Sequence, residues 1–163
     1  MKDVDQDGDF DLIFASSQFT FGAIVRAITK KQIQIEFDFF KYDQQKQTYH
    51  LNRPDLTRQI DFAFSLRQFF IDGILPNLDG DYNGDGFPDA MYARSDKELS
   101  FLIQNPSSPQ FFPSIPSATY DIDLPGDYVV GDLNGDGKDE VVLYGTSAGK
   151  DQRMYVLKNL GRW

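Results

Sequence analysis

Short apolar runs alternate with acidic, glycine-containing loops along most of the chain, and this pattern predicts β-structure. The runs are rich in β-branched and aromatic residues and are bounded by Asp, Asn, Gly and Pro, as is typical of strands joined by turns. Within residues 32–40, the segment 33–39 alternates between apolar and polar side chains, which indicates a half-buried strand. We therefore predict an all-β protein with strands at 11–15, 22–29, 32–40, 47–51, 60–66, 74–79, 89–94, 98–104, 118–124, 128–132, 140–144 and 153–158.

Three acidic segments of the chain share one spacing of side chains. Residues 3–11, 81–89 and 132–140, called here the first, second and third loops, carry Asp at position 1, Asp or Asn at 3, Asp at 5, Gly at 6 and a carboxylate at 9. Such residues also mark ordinary turns, but three copies in the same register favour metal binding. The candidate ligands at positions 1, 3, 5, 7 and 9 are Asp3, Asp5, Asp7, Asp9 and Asp11; Asp81, Asn83, Asp85, Phe87 and Asp89; and Asp132, Asn134, Asp136, Lys138 and Glu140.

The coordination chemistry of calcium accounts for this spacing. Ca²⁺ takes six to eight oxygen ligands at about 2.3–2.6 Å, and alternate side chains of a tight loop converge on one point. We expect side-chain oxygens from positions 1, 3, 5 and 9 and the backbone carbonyl from position 7, where the residue type varies. Glycine at position 6 permits the sharp turn. The sequence predicts up to three Ca²⁺ ions, and in the third loop it leaves open whether Asp139 or Glu140 is the last ligand.

The residue at position 12 distinguishes these loops from the calcium-binding loop of an EF-hand. An EF-hand requires Glu at that position and helices on both sides. Here position 12 is Phe14, Tyr92 or Leu143, and each lies in an apolar run that is typical of a buried strand. The sequence therefore predicts calcium loops that lead into strands.

An Asp-x-Asp/Asn-x-Asp-Gly loop followed by a hydrophobic strand resembles the FG-GAP/VCBS repeat family, with the best matches at residues 80–86 and 131–137 and at the Pro88-Asp89 step. In that family the loop joins the first two strands of a β-propeller blade. The resemblance implies a partial β-propeller of about three four-stranded antiparallel blades in a single segment, with approximate repeats 1–72, 73–124 and 125–163. Because the chain begins inside a loop motif, we expect a fragment of a longer propeller.

Composition narrows the classes of function. The net charge of −9 disfavours nucleic-acid binding, and no apolar run approaches the roughly 20 residues needed to cross a membrane as a helix. The weak affinity typical of extracellular calcium modules favours an extracellular, cell-surface or periplasmic location. We expect a calcium-binding module that acts in adhesion or as a scaffold, with a protein or carbohydrate ligand that the sequence does not identify.

An enzymatic function is the alternative. His50 is the single histidine, no nucleophile or phosphate-binding motif is present, and no catalytic residue is assigned, so the sequence favours a non-enzymatic module. The family resemblance leaves open a polysaccharide lyase or hydrolase with catalytic residues partly outside this chain. Four aromatic residues are weighed as sugar-stacking positions, although packing within the sheets is the preferred interpretation: Tyr42, Tyr49, Tyr82 and Trp163.

Overall fold

A computed structural model describes residues 1–18, 20–67, 70–108, 110–123, 126–145 and 154–158, and it confirms the prediction of an all-β chain. The described elements are thirteen strands and one helix. They are β1 (Leu12–Ser16), α1 (Phe21–Lys30), β2 (Gln32–Phe40), β3 (Tyr42–Asp43), β4 (Thr48–Tyr49), β5 (Leu56–Ser65), β6 (Phe70–Ile71), β7 (Ile74–Gly80), β8 (Asp89–Ala93), β9 (Glu98–Leu102), β10 (Ala118–Asp121), β11 (Asp127–Gly131), β12 (Glu140–Tyr144) and β13 (Met154–Leu157).

The first of two compact units, Met1–Gly73, contains an antiparallel sheet in the order β1-β2-β5-β6. Strand β2 is central to it and pairs with β1 on one side and with β5 on the other. Its apolar residues Ile35 and Phe39 are buried, as the alternating pattern predicted. A short hairpin formed by β3 and β4 is inserted between β2 and β5.

The second unit, Ile74–Trp163, contains an antiparallel meander in the order β10-β9-β8-β7 and a three-stranded sheet in the order β11-β12-β13. Sequential strands pair as neighbours throughout both sheets. Four-stranded antiparallel meanders are the blades of β-propellers, and this propeller-like architecture agrees with the expected fold. The second loop joins β7 to β8, and the third loop joins β11 to β12.

One apolar core connects the two sheets of the second unit. It is built from buried side chains of β8, β9 and β12 together with the side chain at position 2 of the second loop. The Tyr82 ring is 1% exposed and lies edge-on to Phe101 at a centroid distance of 4.8 Å. The members of this core are Tyr82, Met91, Ala93, Leu99, Phe101, Val141 and Leu143.

The strand predicted at 22–29 is wrong, because this segment is the helix α1. Thr20 caps its N-terminus by accepting a hydrogen bond from the N–H of Ala23 at 3.1 Å. Lys31, in the left-handed conformation, ends it. The β-branched residues suggested a strand, but Phe21, Ile24, Val25 and Ile28 follow the spacing i, i+3, i+4, i+7 of a helical face.

The remaining strand predictions agree with the structure to within a few residues. The strand predicted at 60–66 begins earlier, at Leu56, since its pairing with β2 extends to Phe39. Residues 124 and 153, at the ends of two predicted strands, lie outside the described residues. In the described part of the chain, no helix has the length and apolar character to span a bilayer.

Candidate metal-binding loops

The three loops are closed by the same backbone pairing. The residue before position 1 pairs with the residue at position 9, and the three pairs are Lys2 with Asp11, Gly80 with Asp89, and Gly131 with Glu140. In the first loop this pair exchanges both backbone hydrogen bonds, at 3.3 and 2.8 Å. Each loop therefore comprises nine residues, the last of which is the carboxylate residue that pairs with the residue preceding the loop.

The acidic side chains hold the backbone of each loop in one shape. The N–H at position 6 donates to the carboxylate at position 1, at 3.0 Å in the first loop, 2.7 Å in the second and 2.9 Å in the third. The N–H at position 7 donates to the carboxylate at position 5, at 3.0, 2.9 and 3.0 Å. The turn also requires positive φ at positions 4 and 6, with values from 58° at Gln6 to 94° at Gly8. One loop design is thus repeated three times.

The carboxylate at position 9 is buried in all three loops. Asp11, Asp89 and Glu140 are 1%, 0% and 2% exposed. Each accepts a hydrogen bond from the N–H at position 2, at 2.9, 2.8 and 2.9 Å. The second oxygen of Asp89 accepts from the N–H of Gln104 at 2.7 Å, which ties the loop to the segment after β9. These carboxylates therefore join the loops to the sheets.

The hydrogen bonds of the third loop distinguish the positions of Asp139 and Glu140, between which the sequence did not decide. Glu140 accepts from Leu133 as Asp89 does from Tyr82, so Glu140 occupies the place of the ninth residue. Asp139 instead accepts from the N–H of Asp81 at 2.7 Å and donates its own N–H to the Asp81 carbonyl at 2.9 Å. It therefore fastens the third loop to the start of the second.

In the first loop, Asp3, Asp5 and Asp11 come together as a set of carboxylates. One oxygen of each lies within 4.8 Å of the others, and this is the one group of three or more acidic or histidine side chains found so close in the described part of the chain. Oδ1 of Asp3 and Oδ1 of Asp5 are buried there without a hydrogen-bond partner among the described residues. Buried anionic oxygens without a donor are costly, and a hard cation such as Ca²⁺ fits them.

The other predicted ligands are arranged differently. Asp7 and Asp9 are outside the three-carboxylate cluster. In the second loop, Asn83 donates its side-chain amide to Asp85 at 2.8 Å, and in the third loop Asn134 donates to Glu140 at 2.7 Å. Phe87 and Lys138 are held through their backbone N–H by the acid at position 5. In the second and third loops the polar groups thus bond to one another.

Several contacts around the first loop were missed by the sequence analysis. The β3–β4 hairpin lies against this loop and contacts it at several points. Lys41 reaches Asp5 at 2.7 Å, and the Tyr42 N–H donates to Asp11 at 3.3 Å. The Tyr49 hydroxyl donates to the Phe10 carbonyl at 2.6 Å. These partners are more than 30 residues apart, so no local pattern reveals them.

Three of the four aromatic residues weighed as sugar platforms take part in packing. Tyr82 is buried in the core. Tyr42 and Tyr49 pack against each other across the hairpin at 5.1 Å. Trp163 lies outside the described residues.

Burial raises the pKa of two closing carboxylates. The pKa of Asp11 rises to about 6 because desolvation outweighs its hydrogen bonds from backbone N–H groups. The pKa of Asp89 rises to about 6 for the same reason. In the third loop the backbone N–H of Gly137 and its neighbours lower the pKa of Asp132, since their hydrogen bonds favour the charged form.

These shifts predict that, in calcium-free buffer, the protein becomes more stable as the pH falls from 7 to 5. Because the pKa of Asp11 and of Asp89 in the folded protein, about 6, exceeds the ordinary aspartate value of 3.8, their contribution to stability is fully present below about 3.8 and is lost as the pH rises through 6. Urea denaturation at both pH values tests this. The measurement uses a His50→Gln background, which removes the imidazole that contacts Asp43. A lower free energy of unfolding at pH 5 would contradict the prediction.

Comparison with known families agrees with this geometry. Residues 81–143 match the FG-GAP-like repeat family, from the first residue of the second loop to the strand that follows the third. No curated protein and no solved structure has a significant match to the chain. The region 81–143 is therefore an FG-GAP-like repeat, as the sequence motifs indicated.

Proposed function

We propose that this protein is a calcium-stabilised propeller-type module that serves as a binding or scaffold surface outside the cell. The observation that carries the proposal is the repeated loop geometry, together with the buried oxygens of Asp3 and Asp5 that have no hydrogen-bond donor among the described residues. All candidate ligands are oxygens, which suits Ca²⁺ better than transition metals. The ion supplies positive charge that offsets the repulsion among the clustered carboxylates.

Calcium should act mainly on stability. In each loop the ion would be held by the side chains at positions 1, 3, 5 and 9 and by the carbonyl at position 7. The second and third loops join consecutive strands, and the first is closed by the bridge between Lys2 and Asp11 just before β1. Fixing a loop therefore also fixes the ends of the strands beside it. A dissociation constant on the order of 10⁻⁴–10⁻³ M suits calcium-rich surroundings.

We expect 10 mM calcium to raise the free energy of unfolding by about 1.4–2.7 kcal/mol for each loaded loop, relative to excess chelator. Asp85→Ala or Asp136→Ala should reduce this gain by the share of one loop, because each removes the central carboxylate at position 5. Asp96→Ala, which removes an exposed carboxylate outside the loops, is the matched control. Urea denaturation with and without calcium measures the effect.

The same result tests the proposal as a whole. Identical unfolding curves in calcium and in chelator would contradict it. A gain from magnesium equal to that from calcium would contradict the choice of ion, since Mg²⁺ prefers a smaller octahedral site that retains water.

The polysaccharide-acting enzyme remains the alternative function. Incubation of the purified chain with neutral and acidic glycans, followed by assay of new reducing or unsaturated ends, distinguishes the two. Turnover would favour the enzyme, whereas binding without turnover would favour the module.

A further inference from the structure

The first loop differs from the others in charge. At its four side-chain ligand positions it has four carboxylates, whereas the second and third loops have three each. The difference lies at position 3, which is Asp5 in the first loop and Asn83 or Asn134 in the other two. At these four ligand positions the first loop thus has one more negative charge to neutralise.

The amide at position 3 acts as a hydrogen-bond donor inside the second and third loops. Asn83 donates to Asp85 at 2.8 Å, and Asn134 donates to Glu140 at 2.7 Å. A carboxylate at this position accepts hydrogen bonds and cannot donate them when ionised. Asp5 therefore needs a donor from elsewhere in the fold.

Lys41 supplies that donor. Its ammonium nitrogen lies 2.7 Å from Oδ2 of Asp5, and the Asp5 side chain is 16% exposed. The backbone of Lys41 is fixed as well, because its N–H donates to Asp55 at 2.8 Å. The next residue, Tyr42, donates its N–H to Asp11 at the closing position of the loop. The backbone hydrogen bonds of Lys41 and of the following residue therefore hold the lysine beside the carboxylate cluster.

We propose that Lys41 is a built-in counter-ion that sets the calcium affinity of the first loop. This inference rests on the proposed calcium-binding function. With Lys41 in place, the four carboxylates carry a net charge of −3, equal to that of the side-chain ligands of each other loop. Oδ1 of Asp3 and Oδ1 of Asp5 are buried without a hydrogen-bond partner among the described residues and remain for the metal ion. The lysine stabilises the metal-free loop and lowers its affinity for a divalent cation.

Replacement of Lys41 by methionine tests this proposal. We expect Lys41→Met to tighten calcium binding at the first loop by about tenfold, because a positive charge close to the ion is removed. The same variant should be less stable than wild type in calcium-free buffer, since one charge of the cluster loses its counter-ion. Lys41→Arg retains the charge and should behave like wild type.

The double-variant cycle with Asp5→Asn isolates the pair. In the Asp5→Asn background, which reproduces the amide of the other loops, Lys41→Met should change the calcium affinity and the metal-free stability clearly less than it does in wild type, because the lysine no longer has the Asp5 carboxylate as its partner. Lys46→Met is the matched control, because Lys46 lies in the nearby β3–β4 turn and its ion pair is with Asp43, outside the loop. It should leave calcium binding at the first loop unchanged.

Amide resonances of the glycines at position 6 report on each loop separately. The calcium titration follows Gly8, Gly86 and Gly137 in the full chain, and urea denaturation in chelator gives the metal-free stability. An unchanged midpoint for Gly8 in Lys41→Met, or the same change in both backgrounds, overturns the role of Lys41 while Gly86 and Gly137 still respond. A lack of response at all three glycines in wild type overturns the proposed function itself.

Discussion

Replacing Asp89 with alanine should lower the free energy of unfolding by about 2–4 kcal/mol in calcium-free buffer at pH 7. Asp89 is fully buried, and its two oxygens accept hydrogen bonds from the N–H groups of Tyr82 at 2.8 Å and Gln104 at 2.7 Å. Removing the acceptor from a buried donor costs about 1–3 kcal/mol for each group. Relief from burying the charge offsets part of this loss. Urea denaturation in excess chelator measures the effect apart from any loss of metal.

Two further variants define the role of Asp89. Asp121→Ala removes an exposed aspartate at the end of β10 and should change the free energy of unfolding by less than about 0.5 kcal/mol. Asp89→Asn retains one acceptor oxygen and should lose less stability than Asp89→Ala. If Asp89→Ala were as stable as Asp121→Ala, the buried carboxylate would not be needed to hold the second loop to the sheet.

Gly80→Ala should destabilise the protein by about 1–3 kcal/mol, the usual cost of overpacking a core. A Cβ atom at this position would lie 2.6 Å from Cζ, 2.7 Å from Cε1 and 2.9 Å from the hydroxyl oxygen of Tyr82. That ring is 1% exposed and packs edge-on against Phe101, so it cannot move without disturbing the core. Thermal or urea denaturation measures the loss.

Gly131→Ala is the matched control for Gly80→Ala. Gly131 occupies the same place before the third loop, but no heavy atom lies within 4 Å of an added Cβ there. The residue that corresponds to Tyr82 in the third loop is Leu133, which is 58% exposed. Equal losses in the two variants would show that a requirement of the backbone, and not contact with the tyrosine, selects glycine at this position.

Local sequence patterns were sufficient to predict the positions of most of the strands. The alternation in 33–39 lies within β2, and the apolar runs after the loops correspond to β1, β8 and β12. The helix α1 was missed because β-branched residues are typical of strands. Its Thr20 cap and the helical spacing of its apolar residues were present in the sequence as the competing signal.

The candidate site likewise has features that the sequence predicted and features that it did not. The spacing of acids and glycines identified the three loops before their geometry was known, because the conformation of such a loop depends on contacts between near neighbours. The sequence did not show that Asp89 is buried against Gln104, nor that Asp139 bonds to Asp81 while Glu140 closes the third loop. Those choices depend on which strand lies beside each loop.

The sequence by itself determined the all-β class, the positions of most strands and the repeated loop motif, since these follow from side-chain periodicity and from turns within nine residues. The tertiary structure alone decided which acids are buried, which carboxylates meet, and that Lys41 lies beside Asp5. Burial and ion pairing depend on segments that are far apart in the chain and are brought together by strand pairing. For this reason the electrostatic balance of the first loop cannot be deduced from its own nine residues.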